Sequence, residues 1–301
     1  MQNGVLLILL SMSLTPFGDA LSKQLGATQS PMFIVFLRYF VAGLIALALA
    51  RVTRTRVELP RIGRLGFILQ TAIVVGAMAL LIAALSMVPL ASAVGGFLIA
   101  PIVAMLISVL FYGEKLTLPG AAGAGLSFLG ALLILKPGAA FEPGIAVALV
   151  GGALLGLFLA ANRASGVILS PIGALALQCL LGSAMLFPFA IGSIGTADWA
   201  LLWPALGLGA VTAATHFLTV AAYQRCESAR LAPFFYFNLV AAVIVGLVWF
   251  NEIPDAYSVA GLGLILTGGL ASLLNVTTVK RLARRRAGQK PPRPRHIYVN
   301  S

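Results

Sequence analysis

"SPMFIVFLRYFVAGLIALALA", residues 30–50, is apolar over a length that crosses a bilayer, yet Arg38 sits about a third of the way in. A helix rises about 1.5 Å per residue, so roughly 20 apolar residues span the hydrocarbon core. Ser30-Pro31 ahead of the run is a breaker. A guanidinium at such depth costs about 3 kcal/mol or more in lipid, so it turns toward protein or a water-filled cavity. The stretch reads as a membrane span with a polar side.

The whole chain has this character. Its 301 residues are 60% hydrophobic and 9% charged, with a mean hydropathy of +1.03. Soluble domains carry about 25% charged residues, so a soluble fold is excluded. Runs of spanning length occur near 4–26, 31–50, 65–86, 91–112, 118–135, 144–162, 171–192, 200–223, 230–250 and 256–275. They predict an all-α polytopic membrane protein of ten transmembrane helices joined by short turns. The first run lacks a positive n-region and a small-residue cleavage site, and Asp19 and Lys23 interrupt its far end; it reads as a span and not a signal peptide. Cys179 and Cys226 have no CxxC spacing and read as packing residues.

The basic residues set the expected orientation. With both termini in the cytoplasm, the inner segments hold Arg51, Arg54, Arg56, Arg61, Arg64, Lys115, Arg163, Arg225 and Arg230. The outer segments hold only Lys23 and Lys136, as the positive-inside rule requires. Trp199, Trp203, Trp249 and Tyr257 fall near outer ends. The high pI, about 10.5, thus reflects topology and not nucleic-acid binding. The tail, residues 279–301, is basic and proline-rich, and reads as disordered chain against anionic headgroups.

The halves resemble each other. The quoted stretch aligns with "SPIGALALQCLLGSAMLFPFA" from Ser170, and "GEKLTLPGAAGAGLSFLG" from Gly113 aligns with "NEIPDAYSVAGLGLILTG" from Asn251. Glu114 then matches Glu252, Gly123 matches Gly261, Gly130 matches Gly268, and Lys23 matches Arg163. Each half holds five spans, an odd number, so the second copy enters from the opposite face: a 5+5 inverted-topology repeat, residues 1–138 and 139–278. This architecture is usual in secondary transporters, with the site near the midplane between repeats. Gln178 stands where the repeat would place a second arginine. The glycines of spans five and ten read as packing seams, within the chain or between two copies in a homodimer.

Lys23, "FLRYF" around Arg38, Gly113-Glu114 and "LAPFFYFNLVAAVIVGLVWFNEIPD" (231–255), in this order, resemble the drug/metabolite transporter superfamily, and within it the EamA-type ten-helix carriers. The likeness runs from Gly4 to about Asn275. It implies a cavity between the repeats, alternating access without ATP, and no particular substrate, since the superfamily handles amino acids, nucleotide sugars, vitamins and drugs.

Asp19 and Arg38 each lie about 10 Å below the same membrane surface on antiparallel neighbours. Lys23 is four residues from Asp19 and shares its face. The expected cluster of Asp19, Arg38 and Lys23 carries one net positive charge and suits a carboxylate or phosphate; a purely structural ion pair is the alternative. A second polar layer comprises Thr212, Thr215, His216, Thr219 and Tyr223 of span eight, Asn238 and Tyr236 of span nine, Gln178 and Gln70. Phe234, Phe235 and Phe237 offer aromatic contact. Walker, HExxH and zinc spacings are absent, so no cofactor, metal or enzymatic chemistry is expected. The leading reading is a carrier in the inner (plasma) membrane exporting a small polar metabolite, amino-acid-like or cofactor-like. Uptake of a vitamin- or cofactor-type molecule such as a flavin or adenosyl compound is the alternative. A non-transporting scaffold and a channel are the competing classes.

Overall fold

The computed structural model describes residues 2–59, 63–113, 118–135, 143–165, 170–194, 201–226, 228–253 and 256–273. The basic tail, Trp199, Glu114 and the Arg163 side chain lie outside the described residues. Among those described there is no strand, and twelve helices follow one another: α1 (Gln2–Leu25), α2 (Pro31–Val52), α3 (Arg64–Leu85), α4 (Leu90–Phe97), α5 (Ala100–Tyr112), α6 (Leu118–Leu135), α7 (Pro143–Ser165), α8 (Pro171–Ile194), α9 (Leu202–Arg225), α10 (Ser228–Phe235), α11 (Phe237–Phe250) and α12 (Ala256–Leu273).

Local chemistry sets the helix starts. Ser30 caps α2, its hydroxyl accepting from Phe33 N–H at 3.4 Å, and Pro31 occupies the first turn, where no N–H is needed. Ser170 does the same for α8, accepting from Gly173 N–H at 3.1 Å. The αL residues Gly113 (φ 64°) and Asn251 (φ 54°) end α5 and α11, a backbone that glycine and asparagine adopt at least cost.

Two expected spans are interrupted. The run at 91–112 forms α4 and α5, and the run at 230–250 forms α10 and α11. At the first break Pro101 has no N–H to give, which frees the Phe97 carbonyl. Leu98 N–H is shared between the Val94 and Gly95 carbonyls, at 3.0 and 3.2 Å. Gly152 of α7 has no side chain to obstruct the freed Phe97 oxygen; a Cβ there would collide with it. At the second break only Tyr236 intervenes, still in right-handed backbone, and Leu239 N–H tightens onto its carbonyl at 3.0 Å.

Among the described residues eight stretches, counting Leu90–Tyr112 and Pro233–Phe250 each as one, are long and apolar enough to cross a membrane, and shorter apolar stretches lie at Ala121–Leu133 and Val259–Gly268. The chain is a multi-pass membrane protein. Leu110, Val248 and Ile253 turn outward, each at least 75% exposed, as surfaces solvated by lipid must.

Within a bilayer, packing and small residues hold helices together, because lipid is as apolar as leucine. The closest pairs are α6 with α12, α2 with α8, α1 with α9 and α3 with α7. The α6–α12 seam is reciprocal in its glycines. A Cβ on Gly130 would sit 2.5 Å from the Gly261 carbonyl oxygen, and one on Gly268 2.6 Å from that of Gly123. These glycines are used within the chain.

Candidate functional site

Between these helices lies a cavity of about 90 Å³, walled by α1, α2, α3, α4, α7, α9 and the α10–α11 region. From α1 come Met12, Thr15 and Asp19, one helical face on a helix that contains Pro16. Arg38 and Tyr39 come from α2, and the stripe Thr212, Thr215, His216 and Thr219 from α9. Phe235 and Asn238 flank the α10–α11 break, while Val94 and Phe97 close α4 at the other break. Both interruptions thus border the cavity, as discontinuous helices do at membrane binding sites.

Arg38 Nη1 donates to Asp19 Oδ1 at 3.2 Å, with Arg38 4% and Asp19 1% exposed. Asp19 Oδ2, Thr212 Oγ1 and Asn238 Oδ1 have no hydrogen-bond partner among the described residues. Ser11, fully buried, ties α1 to α9: its hydroxyl donates to the Thr215 carbonyl at 2.8 Å and lies 2.8 Å from Thr219 Oγ1. His216 Nε2 donates to Gln178 Oε1 at 2.7 Å, which sets its tautomer, and the imidazole lies 5.9 Å from the Phe158 ring.

Asp19, Arg38, Thr212, His216, Thr219 and Phe235, expected in two layers, stand together in this wall with Asn238. Lys23 does not join them. Its ammonium donates to Glu252 Oε1 at 2.9 Å and lies 5.0 Å from the Phe250 ring centre. The αL turn at Asn251 directs Glu252 back along α11, with its N–H bonded to the Gly246 carbonyl, and so presents a carboxylate to the last turn of α1. The expected surplus positive charge is therefore neutralised outside the cavity. Gln178 stands behind the wall, holding His216. Gln70, Tyr223 and Tyr236 are buried in the surrounding packing and do not line it: Gln70 and Tyr223 share the lining faces of α3 and α9 but stand one turn beyond Val74 and Thr219, and Tyr236 sits in the break itself.

Sequence reasoning misses the contribution of α3, α4 and α7: Val74, Met78 and Leu81, Val94 and Phe97, and Leu155, Phe158 and Leu159. Nothing distinguishes apolar cavity wall from apolar packing in a sequence. Thr15 was missed as well, although its place one turn before Asp19 on the same face was the signal for it. Among the described residues no three His, Cys, Asp or Glu side chains come together to share a metal ion.

The profile of the EamA-like transporter family matches residues 2–136 and again residues 142–274. The chain belongs to that family, within the drug/metabolite transporter superfamily. It is 24% identical, over 87% of its length and 90% of the relative's, to an S-adenosylmethionine uptake transporter of Rickettsia conorii. It is 28% identical to a probable terminal-alkyne amino-acid exporter of Streptantibioticus cattleyicolor, over 65% of this chain and 66% of that one. A crystal structure 17% identical in sequence superposes with a TM-score of 0.72, covering 90% of this chain and 96% of the other, and so shares the fold. This EamA-family chain is thus akin to transporters of small molecules rather than to enzymes.

Proposed function

We propose that the protein is a secondary carrier working by alternating access, and that the cavity holding Asp19 and Arg38 is its solute site. The observation that carries this is an ion pair sealed from lipid in the wall of a cavity, in a member of a transporter family. A cavity of about 90 Å³ accommodates several waters, at roughly 10–15 Å³ each by this measure, and so has room for a small polar solute.

The ten-span, 5+5 inverted repeat belongs to the same proposal. It is supported by the family profile matching twice, by the exchange-related pairs α1–α9 and α3–α7, by the reciprocal glycine seam, and by αL caps at Gly113 and Asn251. The reading puts both termini in the cytoplasm and the protein in the inner membrane, from the arginine and lysine asymmetry. The solute is a small polar metabolite, amino-acid-like or cofactor-like. Export is the leading direction, in keeping with the name of the Streptantibioticus relative. Uptake is the second reading, favoured by that of the Rickettsia relative.

The test is metabolite profiling of cells lacking or overproducing the protein, then counterflow of the best candidate in proteoliposomes. A carrier gives saturable counterflow that Arg38→Gln abolishes while the variant stays folded in the membrane. Ohmic current would make it a channel, and no flux of any profiled solute a scaffold.

A further inference from the structure

The cavity wall offers hydrogen-bond acceptors without donors to fill them. Asp19 is a buried carboxylate with a single 3.2 Å bond from Arg38, and its second oxygen has no partner among the described residues. A carboxylate kept from water with one oxygen unbonded is costly, and such an atom calls for an explanation in terms of what completes it. Asn238 Oδ1 and Thr212 Oγ1 are unmatched in the same wall. Asp19 Oδ2 and Asn238 Oδ1 only accept.

Charge points the same way. Among the residues lining the cavity, Asp19 and Arg38 are the formally charged pair, and Lys23 is occupied by Glu252. No surplus cation awaits an anionic solute. The rest of the wall includes the rings of Tyr39, Phe97, Phe158 and Phe235, whose faces are negative and attract cations, together with the thioethers of Met12 and Met78.

We infer that the solute presents a protonated amine, whose N–H groups are taken by Asp19 Oδ2 and Asn238 Oδ1 among aromatic faces, and that a solute whose only charge is negative is not carried. This rests on the proposed carrier reading of the same cavity. A zwitterion fits, its ammonium on Asp19 and its anionic end on Arg38; a lone carboxylate or phosphate leaves the Asp19 oxygen unmatched.

The probe reports charge selection without knowledge of the natural solute. Thr15 lines the cavity one turn before Asp19, so Thr15→Cys in the purified full chain places a thiol beside it. Labelling above that of the native chain, whose Cys179 and Cys226 are buried, is followed with aminoethyl and with sulfonatoethyl methanethiosulfonate, each normalised to its rate with a small free thiol. The cationic reagent is expected to react about tenfold faster, the scale of one charge-assisted hydrogen bond. Adding Asp19→Asn removes the preference, and adding Lys23→Gln leaves it. If Asp19→Asn does not fold, the doubly neutral Asp19→Asn/Arg38→Gln replaces it, with the same loss expected. Equal rates, a faster anionic reagent, or a preference that survives neutralisation of Asp19 overturns the amine assignment and leaves the carrier standing. Labelling by neither reagent removes the wet chamber, and both readings fall.

Discussion

Lys23 and Glu252 form the more accessible of the two ion pairs found among the described residues, with side chains 22% and 30% exposed, and water and salt screen such a pair. Its net worth is therefore about 1 kcal/mol or less, and Lys23→Gln is expected to melt close to the wild type. The charge reversal Lys23→Glu sets two carboxylates against each other and lowers the melting temperature, and Lys23→Glu/Glu252→Lys recovers it. A single reversal that melts like the wild type would separate these residues in solution. The Asp19–Arg38 pair obeys different arithmetic. Removing one partner of a buried pair strands the other charge, at a cost of about 3–5 kcal/mol, whereas removing both is close to neutral. Both members were legible in the sequence, because equal depth on antiparallel neighbours leaves a buried arginine little choice. The partner of Lys23 was not: the positive φ that turns Glu252 toward α1 is set by the C-cap of a distant helix.

At the scale of elements, α6 and α12 approach so closely that their contact is backbone on backbone. Gly268→Ala would drive a methyl toward the Gly123 carbonyl and is expected to destabilise by about 1–3 kcal/mol, as overpacking does. Gly263→Ala on the same helix meets nothing within 4 Å and serves as control. Thermal unfolding of the two variants decides, and equal midpoints would contradict the seam. The glycines of this seam were visible in the sequence as a spaced pattern, and the starts of α2 and α8 were visible in Ser30-Pro31 and Ser170-Pro171. The breaks were not read from it, because hydropathy over a window the length of a span averages across Pro101 and Tyr236. Yet these breaks bring Phe97 and Asn238 to the cavity.

For the whole molecule, the packing of α1 on α9 and of α3 on α7 places elements of both halves around one chamber. Composition carried the membrane fold, since nearly every residue contributes to it. The chamber's wall was half legible: polar residues such as Thr212 and His216 stand out in an apolar helix, while Leu155 and Phe158 do not. The central claim is that the Asp19–Arg38 pair serves transport and is not merely a lock between α1 and α2. Counterflow by the doubly neutralised Asp19→Asn/Arg38→Gln variant in proteoliposomes tests it most directly. The expected result is a monodisperse protein with near wild-type melting and no saturable counterflow; flux at the wild-type rate would make the pair structural and contradict the account.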